Sequence, residues 1–158
     1  MLKLSLSEKY DNPLIQSNWS DGLLPHFSGI VIGDGTMLEF EESVADNSEG
    51  MKYKISIRKL LTISEFQEQS DEFVEIELMA TRLYIPDADC YALCGEGAMG
   101  NEGFVALVKG NSLVWSAFLT VSNPFYILRR EGDLIVAKST HEVEWRFPIY
   151  APWDVAAG

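Results

Sequence analysis

The chain has 158 residues and a formal net charge of -12, from 24 acidic and 12 basic residues. Hydrophobic residues make up 47% and charged residues 23%, a globular balance that excludes disorder for most of the chain and fits one domain spanning residues 1–158. The acidic excess repels phosphate backbones and acidic membranes, which argues against nucleic acid or a membrane as a direct partner, and the longest apolar runs are strand-sized.

Met1–Ser7 alternates apolar and polar residues, so it reads as a strand and not as an export signal. With only Cys90 and Cys94 as thiols, a cytoplasmic, reducing setting is expected. From Glu8 to Ser28, turn formers (Asp11-Asn12-Pro13, Ser20-Asp21-Gly22, Pro25) mix with the isolated anchors Ile15, Trp19 and Phe27, which predicts an ordered but irregular connection. Gly29–Ile32 and Thr36–Phe40 flank Gly33-Asp34-Gly35, whose residues tolerate positive φ, so a tight hairpin follows. After a turn at Asn47–Gly50, Met51–Arg58 alternates as a further strand with its lysines outward. Thr62-Ile63-Ser64-Glu65 has the form of a capping box, and Ile63 with Phe66 supplies the apolar side of a short helix ending before Ser70. Val74, Ile76 and Leu78 alternate with Glu75 and Glu77 and run toward Leu83 and Ile85 as one long strand stopped by Pro86.

The last third, Gly103–Ile149, reads as an antiparallel meander. Phe104, Ala106 and Val108 alternate into the Lys109-Gly110-Asn111 turn, and Leu113, Trp115, Ala117 and Leu119 alternate out of it, the pattern of a half-buried hairpin. Phe125–Leu128 and Leu134–Ala137 repeat the device around Glu131-Gly132-Asp133, and Val143–Ile149 closes the series. Strands apolar on one face need a second layer. The predicted architecture is therefore mainly β: a single antiparallel sandwich or partly closed barrel, with a C-terminal four-stranded meander and one or two short helices.

Chemical motifs are weak throughout. Gly95-Glu96-Gly97-Ala98-Met99-Gly100 carries the letters of a dinucleotide fingerprint, but a strand follows it, and Glu96 and Glu102 would repel a phosphate. A mobile glycine loop without cofactor is the expectation. Cys90 and Cys94, preceded by Asp87 and Asp89, lack the second ligand pair of a zinc site, and His26 and His141 stand isolated, so no metal is expected. A calcium loop begun at Asp87 would place Tyr91 and Ala98 at ligand positions. Ser139, Thr140 and His141 lie beside Glu142 and Glu144, but neighbours on a strand point to opposite faces, His141 fits a turn, and no residue is assigned a catalytic role. Glu142 and Glu144 on one strand face form a carboxylate pair of the kind that many acids produce by coincidence. Trp115 and Trp145 belong to the core, whereas Trp153, after Tyr150-Ala151-Pro152, is expected at the surface, where it could anchor a partner.

Charge is concentrated: Leu61–Glu102 holds ten acidic residues against the single Arg82. Such a face either keeps a sheet edge solvated or steers a basic partner, and the candidate contacts are Glu65, Glu68, Asp71, Glu72, Glu75 and Glu77, with Trp153. The segments Leu113-Val114-Trp115-Ser116-Ala117-Phe118, Ser122-Asn123-Pro124-Phe125 and Trp145-Arg146-Phe147-Pro148-Ile149 stand in an order that resembles the C-terminal sheet of small bacterial immunity-like proteins encoded near polymorphic toxins. That resemblance implies a cytoplasmic, non-enzymatic binding protein that neutralises a basic, nuclease-like toxin, and it transfers no binding residue. The alternatives are a small enzyme or ligand-binding barrel with its pocket near the glycine loop, and a subunit that assembles through an edge strand.

Overall fold

The structure, a computed structural model, describes residues 3–6, 8–47, 50–70 and 72–158. In chain order its elements are α1 (Pro13–Ser20), β1 (Leu23–Pro25), β2 (Gly29–Ile32), β3 (Thr36–Asn47), β4 (Gly50–Thr62), α2 (Ile63–Gln69), β5 (Phe73–Glu75) and β6 (Glu77–Ile85). They continue as β7 (Cys90–Glu96), β8 (Gly103–Lys109), β9 (Ser112–Leu119), β10 (Phe125–Glu131), β11 (Leu134–Ser139) and β12 (Glu144–Pro148), then a single 3-10 turn at Pro152–Asp154 and β13 (Ala156–Ala157). No helix among the described residues is long and apolar enough to cross a membrane.

Among the described residues three antiparallel sheets result, none closed into a barrel: a seven-stranded sheet in the order β4-β3-β2-β9-β8-β7-β6, a four-stranded sheet β10-β11-β12-β13, and the two-stranded ribbon β1-β5. One face of the large sheet, with Ile30, Phe40, Ala92, Leu107, Trp115 and Leu119, packs on Phe125, Ile135, Trp145 and Phe147 of the small sheet. Aromatic rings knit that interface: Phe125 meets Trp145 edge-on at 5.9 Å and Phe147 at 6.1 Å, and Tyr53 lies 4.8 Å from Trp145. The Trp115 indole N–H donates to the Ile149 carbonyl at 2.9 Å, so this buried donor is satisfied. The opposite face, with Val31, Met37, Phe104, Ala106 and Phe118, is covered by Ile15 of α1, Leu24 of β1, and Ile63 and Phe66 of α2.

The mainly β sandwich, its short helices and its C-terminal four-stranded meander agree with the sequence reading. Membership of the meander is shifted along the chain. The β8–β9 hairpin belongs to the large sheet, and the chain changes layers at Ser122-Asn123-Pro124, where Asn123 takes φ 68° and its N–H donates to the Asn101 carbonyl at 2.9 Å. The fourth strand is instead β13, paired to β12 through Trp145–Ala157 and Arg146–Ala156.

The β8–β9 hairpin is also buried on both faces, not one. A bulge at Val114 sets Leu107 opposite Trp115 and Val108 opposite Leu113, so Leu113 and Trp115 enter different cores.

Local signals fared well where they were chemical. Thr62 caps α2 and Glu65 closes the predicted capping box. The Gly33-Asp34-Gly35 hairpin is present, with Gly35 at φ 101°. Three readings change. The Glu8–Ser28 region contains α1, started by Asn12, whose side chain accepts the Ile15 N–H, with Pro13 in the first turn. Gln16 then fastens α1 to the hairpin, its amide donating to the Leu113 carbonyl at 2.9 Å while Leu113 N–H donates back at 2.8 Å. The long strand from Val74 to Ile85 is two strands, because β5 leaves to pair with β1 and β6 joins β7. Of the expected N-terminal strand, Lys3–Leu6 joins no sheet, although Leu4 N–H donates to the Tyr150 carbonyl at 2.7 Å; Met1, Leu2 and Ser7 lie outside the described residues. Ser48 and Glu49, at the tip of the β3–β4 hairpin, also lie outside them.

Phe147→Ala should cost about 3–5 kcal/mol in urea unfolding, because its ring fills the space between Trp115 and Phe125. Thr62→Ala should cost about 1 kcal/mol, the usual value of an N-cap.

Candidate partner-binding surface

Most of the acidic candidates lie on elements that follow one another directly in the chain. Glu65 and Glu68 project from the exposed side of α2, whose other side inserts Ile63 and Phe66 into the core. Phe66 meets Phe73 edge-on at 5.9 Å, which fixes α2 beside β5 and places Glu75 on the same covering layer. Glu77 opens β6. Glu72 is exposed, and its carboxylate lies 3.8 Å from His26 Nδ1. Asp71 lies outside the described residues.

The charge on this layer is left without cations. Among the described residues Glu65, Glu68, Glu75 and Glu77 form no ion pair with lysine or arginine, whereas on the small sheet Arg129 joins Glu131 and Glu144, Arg130 joins Asp87, and Lys138 joins Glu142. Glu77 stands directly opposite Glu96 in the β6–β7 ladder. Partial burial, then the hydrogen bond and repulsion from Glu77, hold the Glu96 carboxyl above its ordinary range. Like charges placed directly across a ladder weaken it, and an external cation would relieve them.

Glu65 has a second duty, since its carboxylate accepts the Thr62 N–H at 3.2 Å in the capping box. Trp153 is not part of this surface. It is 8% exposed and packs into the core between the two large sheets, on the far side of the seven-stranded sheet from α2. The expectation of an exposed anchor is corrected: the 3-10 turn at Pro152–Asp154 folds the indole inward.

Sequence reasoning missed His26. Its Nε2 lies 2.7 Å from the carboxylate of Glu102, which is 3% exposed, and its ring meets Phe118 edge-on at 5.9 Å. Glu102 also accepts the Met99 N–H at 3.0 Å, so the glycine loop is pinned to the covering layer. Gly97 belongs to this packing, because a Cβ there would lie 2.5 Å from Glu102 Oε1 and 2.8 Å from the Phe118 ring. No sequence signal joins residues so far apart. Among the described residues neither ring nitrogen of His26 bonds to a hydroxyl or thiol, and the His26–Glu102 pair joins the covering layer to the glycine loop.

The remaining candidates are dispersed. His141 sits in the β11–β12 turn, and Glu142, at φ 63°, precedes β12, so Glu142 and Glu144 do not share a strand. They bond separately, Glu142 to Lys138 and Tyr126, and Glu144 to Arg129. Cys90 and Cys94 are free thiols buried in the core; burial pushes both up, Cys94 to about 12. Among the described residues no three His, Cys, Asp or Glu side chains gather to hold a metal. Comparison with protein-family models, curated proteins and solved structures finds no match to the chain.

A carboxyl whose folded-state pKa is raised destabilises the fold at pH above that value, and the penalty vanishes once pH falls below the unfolded value. Glu77→Gln should therefore raise the thermal midpoint at neutral pH more than Glu75→Gln, which removes the same charge away from Glu96, and the difference should disappear in acid. Equal gains from both variants at neutral pH would refute the Glu77–Glu96 repulsion. A thiol reagent at mildly alkaline pH should label neither cysteine until the protein is unfolded.

Proposed function

We propose that this protein is a non-catalytic binding domain that engages a basic protein partner through the acidic layer of α2, β5 and the start of β6. The observation that carries this reading is the contrast in pairing: Glu131, Glu142 and Glu144 of the small-sheet segment meet Arg129 or Lys138, while among the described residues Glu65, Glu68, Glu75 and Glu77 form no ion pair with lysine or arginine. Uncompensated surface charge steers encounter with a complementary surface and orients it. The C-terminal resemblance described above supplies the partner class, a toxin with a basic, phosphate-binding surface that an acidic domain can occupy. The bond of His26 Nε2 to Glu102 gives this histidine a structural part in holding the acidic layer to the sheet.

Charge reversal tests the reading. Glu68 and Glu75 are exposed and outside the capping box, so Glu68→Lys with Glu75→Lys leaves the fold intact. Proteins retained from a host lysate by the wild type and not by the double variant are purified, and their association kinetics measured at low and high ionic strength. The expected partner is basic, and its on-rate falls about tenfold with the double variant and steeply with salt, while the off-rate changes little. A complex insensitive to salt and to both substitutions would return this surface to a solvated face.

A further inference from the structure

On the same side of the large sheet as the acidic layer, but beyond its cover, an open groove of about 620 Å³ runs between the end of α1 and strands β6–β8. Its apolar lining is Trp19, Ile76, Leu78, Leu93 and Val108, and the Gly110-Asn111 turn closes one end. Leu78 is 54% exposed here, although most apolar side chains of the sheet are buried. The volume lies in the range of small-molecule sites, about 300–1,000 Å³.

Two charged side chains border this wall, Glu77 and Arg82. Leu78 pairs with Gly95 and Arg82 with Leu93, so Met79-Ala80-Thr81 bulge opposite a single residue of β7, and Leu78 and Arg82 emerge on the same side. The Thr81 hydroxyl donates to the Tyr126 carbonyl at 2.8 Å and anchors the bulge. The Arg82 guanidinium lies 4.5 Å from the centre of the Tyr91 ring, which holds it flat on β7. Glu77 stands opposite Glu96 at the far end of the β6–β7 ladder, on the strand position next to Leu78. In a chain with twice as many acids as bases, Arg129, Arg130 and Arg146 each hold a carboxylate, whereas Arg58, on the edge strand β4, and Arg82 form no ion pair among the described residues. The planar N–H fork of Arg82 is left for an external acceptor.

We propose that this groove binds a small apolar molecule carrying one carboxylate, with its apolar body against Trp19, Leu78 and Leu93 and its carboxylate on Arg82. Charge complementarity selects the anion, and the apolar wall supplies the contact area. The groove meets the acidic layer only at Glu77, and Arg82 is the cation on its lining. A buried apolar contact retains the molecule, and the guanidinium distinguishes the acid from its neutral or cationic analogue.

The probes are 4-phenylbutanoate, 4-phenylbutanamide and 4-phenylbutylamine, titrated calorimetrically and by amide chemical shifts of the isotopically labelled protein. The acid should bind about tenfold more tightly than the amide or the amine and shift the amides of Leu78, Leu93 and Asn111. Arg82→Gln should reduce the acid to the level of the amide. Leu78→Ser, which removes apolar contact without adding charge, and, separately, Asn111→Trp should weaken all three probes; these side chains are exposed, so folding is retained. Equal binding of acid and amide by the wild type, shifts confined to other surfaces, or no binding by any probe would each overturn the proposal.

Discussion

The β8–β9 hairpin exposes almost nothing on either side of its sheet, and that double burial dictates where the rest of the chain must go. A strand apolar on both faces needs cover above and below, as in parallel sheets whose faces are both packed by helices. Here the cover is assembled from different parts of the chain. The small sheet built by the C-terminal segment closes one side, and α1, α2 and the β1–β5 ribbon close the other. The hairpin stands in the middle of the strand order because an edge position would leave it open. The sheets draw together at the corners, where β10 lies beside β6 and β13 beside β4, but no backbone ladder joins them.

Covering the second face has an electrostatic consequence. The covering elements are short and need few apolar residues, so their outer positions are free to carry charge, and Glu65, Glu68 and Glu75 stand there. The small sheet shows the opposite solution, with arginines and a lysine laid across strands to meet its carboxylates. Exposed pairs of this kind contribute little to stability, about 0–1 kcal/mol each, so the contrast matters for the external field more than for the fold. One side of the molecule is electrostatically quiet, and the other projects a negative potential within which Arg82 forms a local exception.

The fold class was legible because period-2 alternation and turn chemistry act locally. Thr62 and Glu65 announce a helix start regardless of what surrounds them, and Gly33-Asp34-Gly35 announces a hairpin for the same reason. What escaped depends on tertiary context. Alternation in Leu113–Leu119 does not reveal the bulge at Val114 that sends Leu113 and Trp115 to different cores, since a bulge leaves residue types unchanged. The departure of β5 from β6 follows from competition between two pairing partners, and the alternating sequence suits both. Trp153 reads as a terminal aromatic, yet a large indole near a sheet end gains more by packing than by exposure. The acidic candidates could be named from composition, whereas the His26–Glu102 clamp and the Leu78–Arg82 wall required the topology to bring distant residues together.

The β1–β5 ribbon belongs to neither larger sheet, and its few pairs link Leu23–Pro25 to Phe73–Glu75 across a long stretch of chain. Its hold on the body comes from Leu24, Phe27 and Phe73, with the His26–Glu102 clamp at one end. Such a layer is a candidate cooperative unit of its own, able to detach while the aromatic core between the larger sheets stays closed. Its amides then exchange with solvent through a sub-global opening, faster than those of Trp115 or Phe147. Because the acidic surface is mounted on this detachable layer, whatever docks there selects the closed state and slows exchange at Leu24 and Val74, beneath the charges and away from any direct contact.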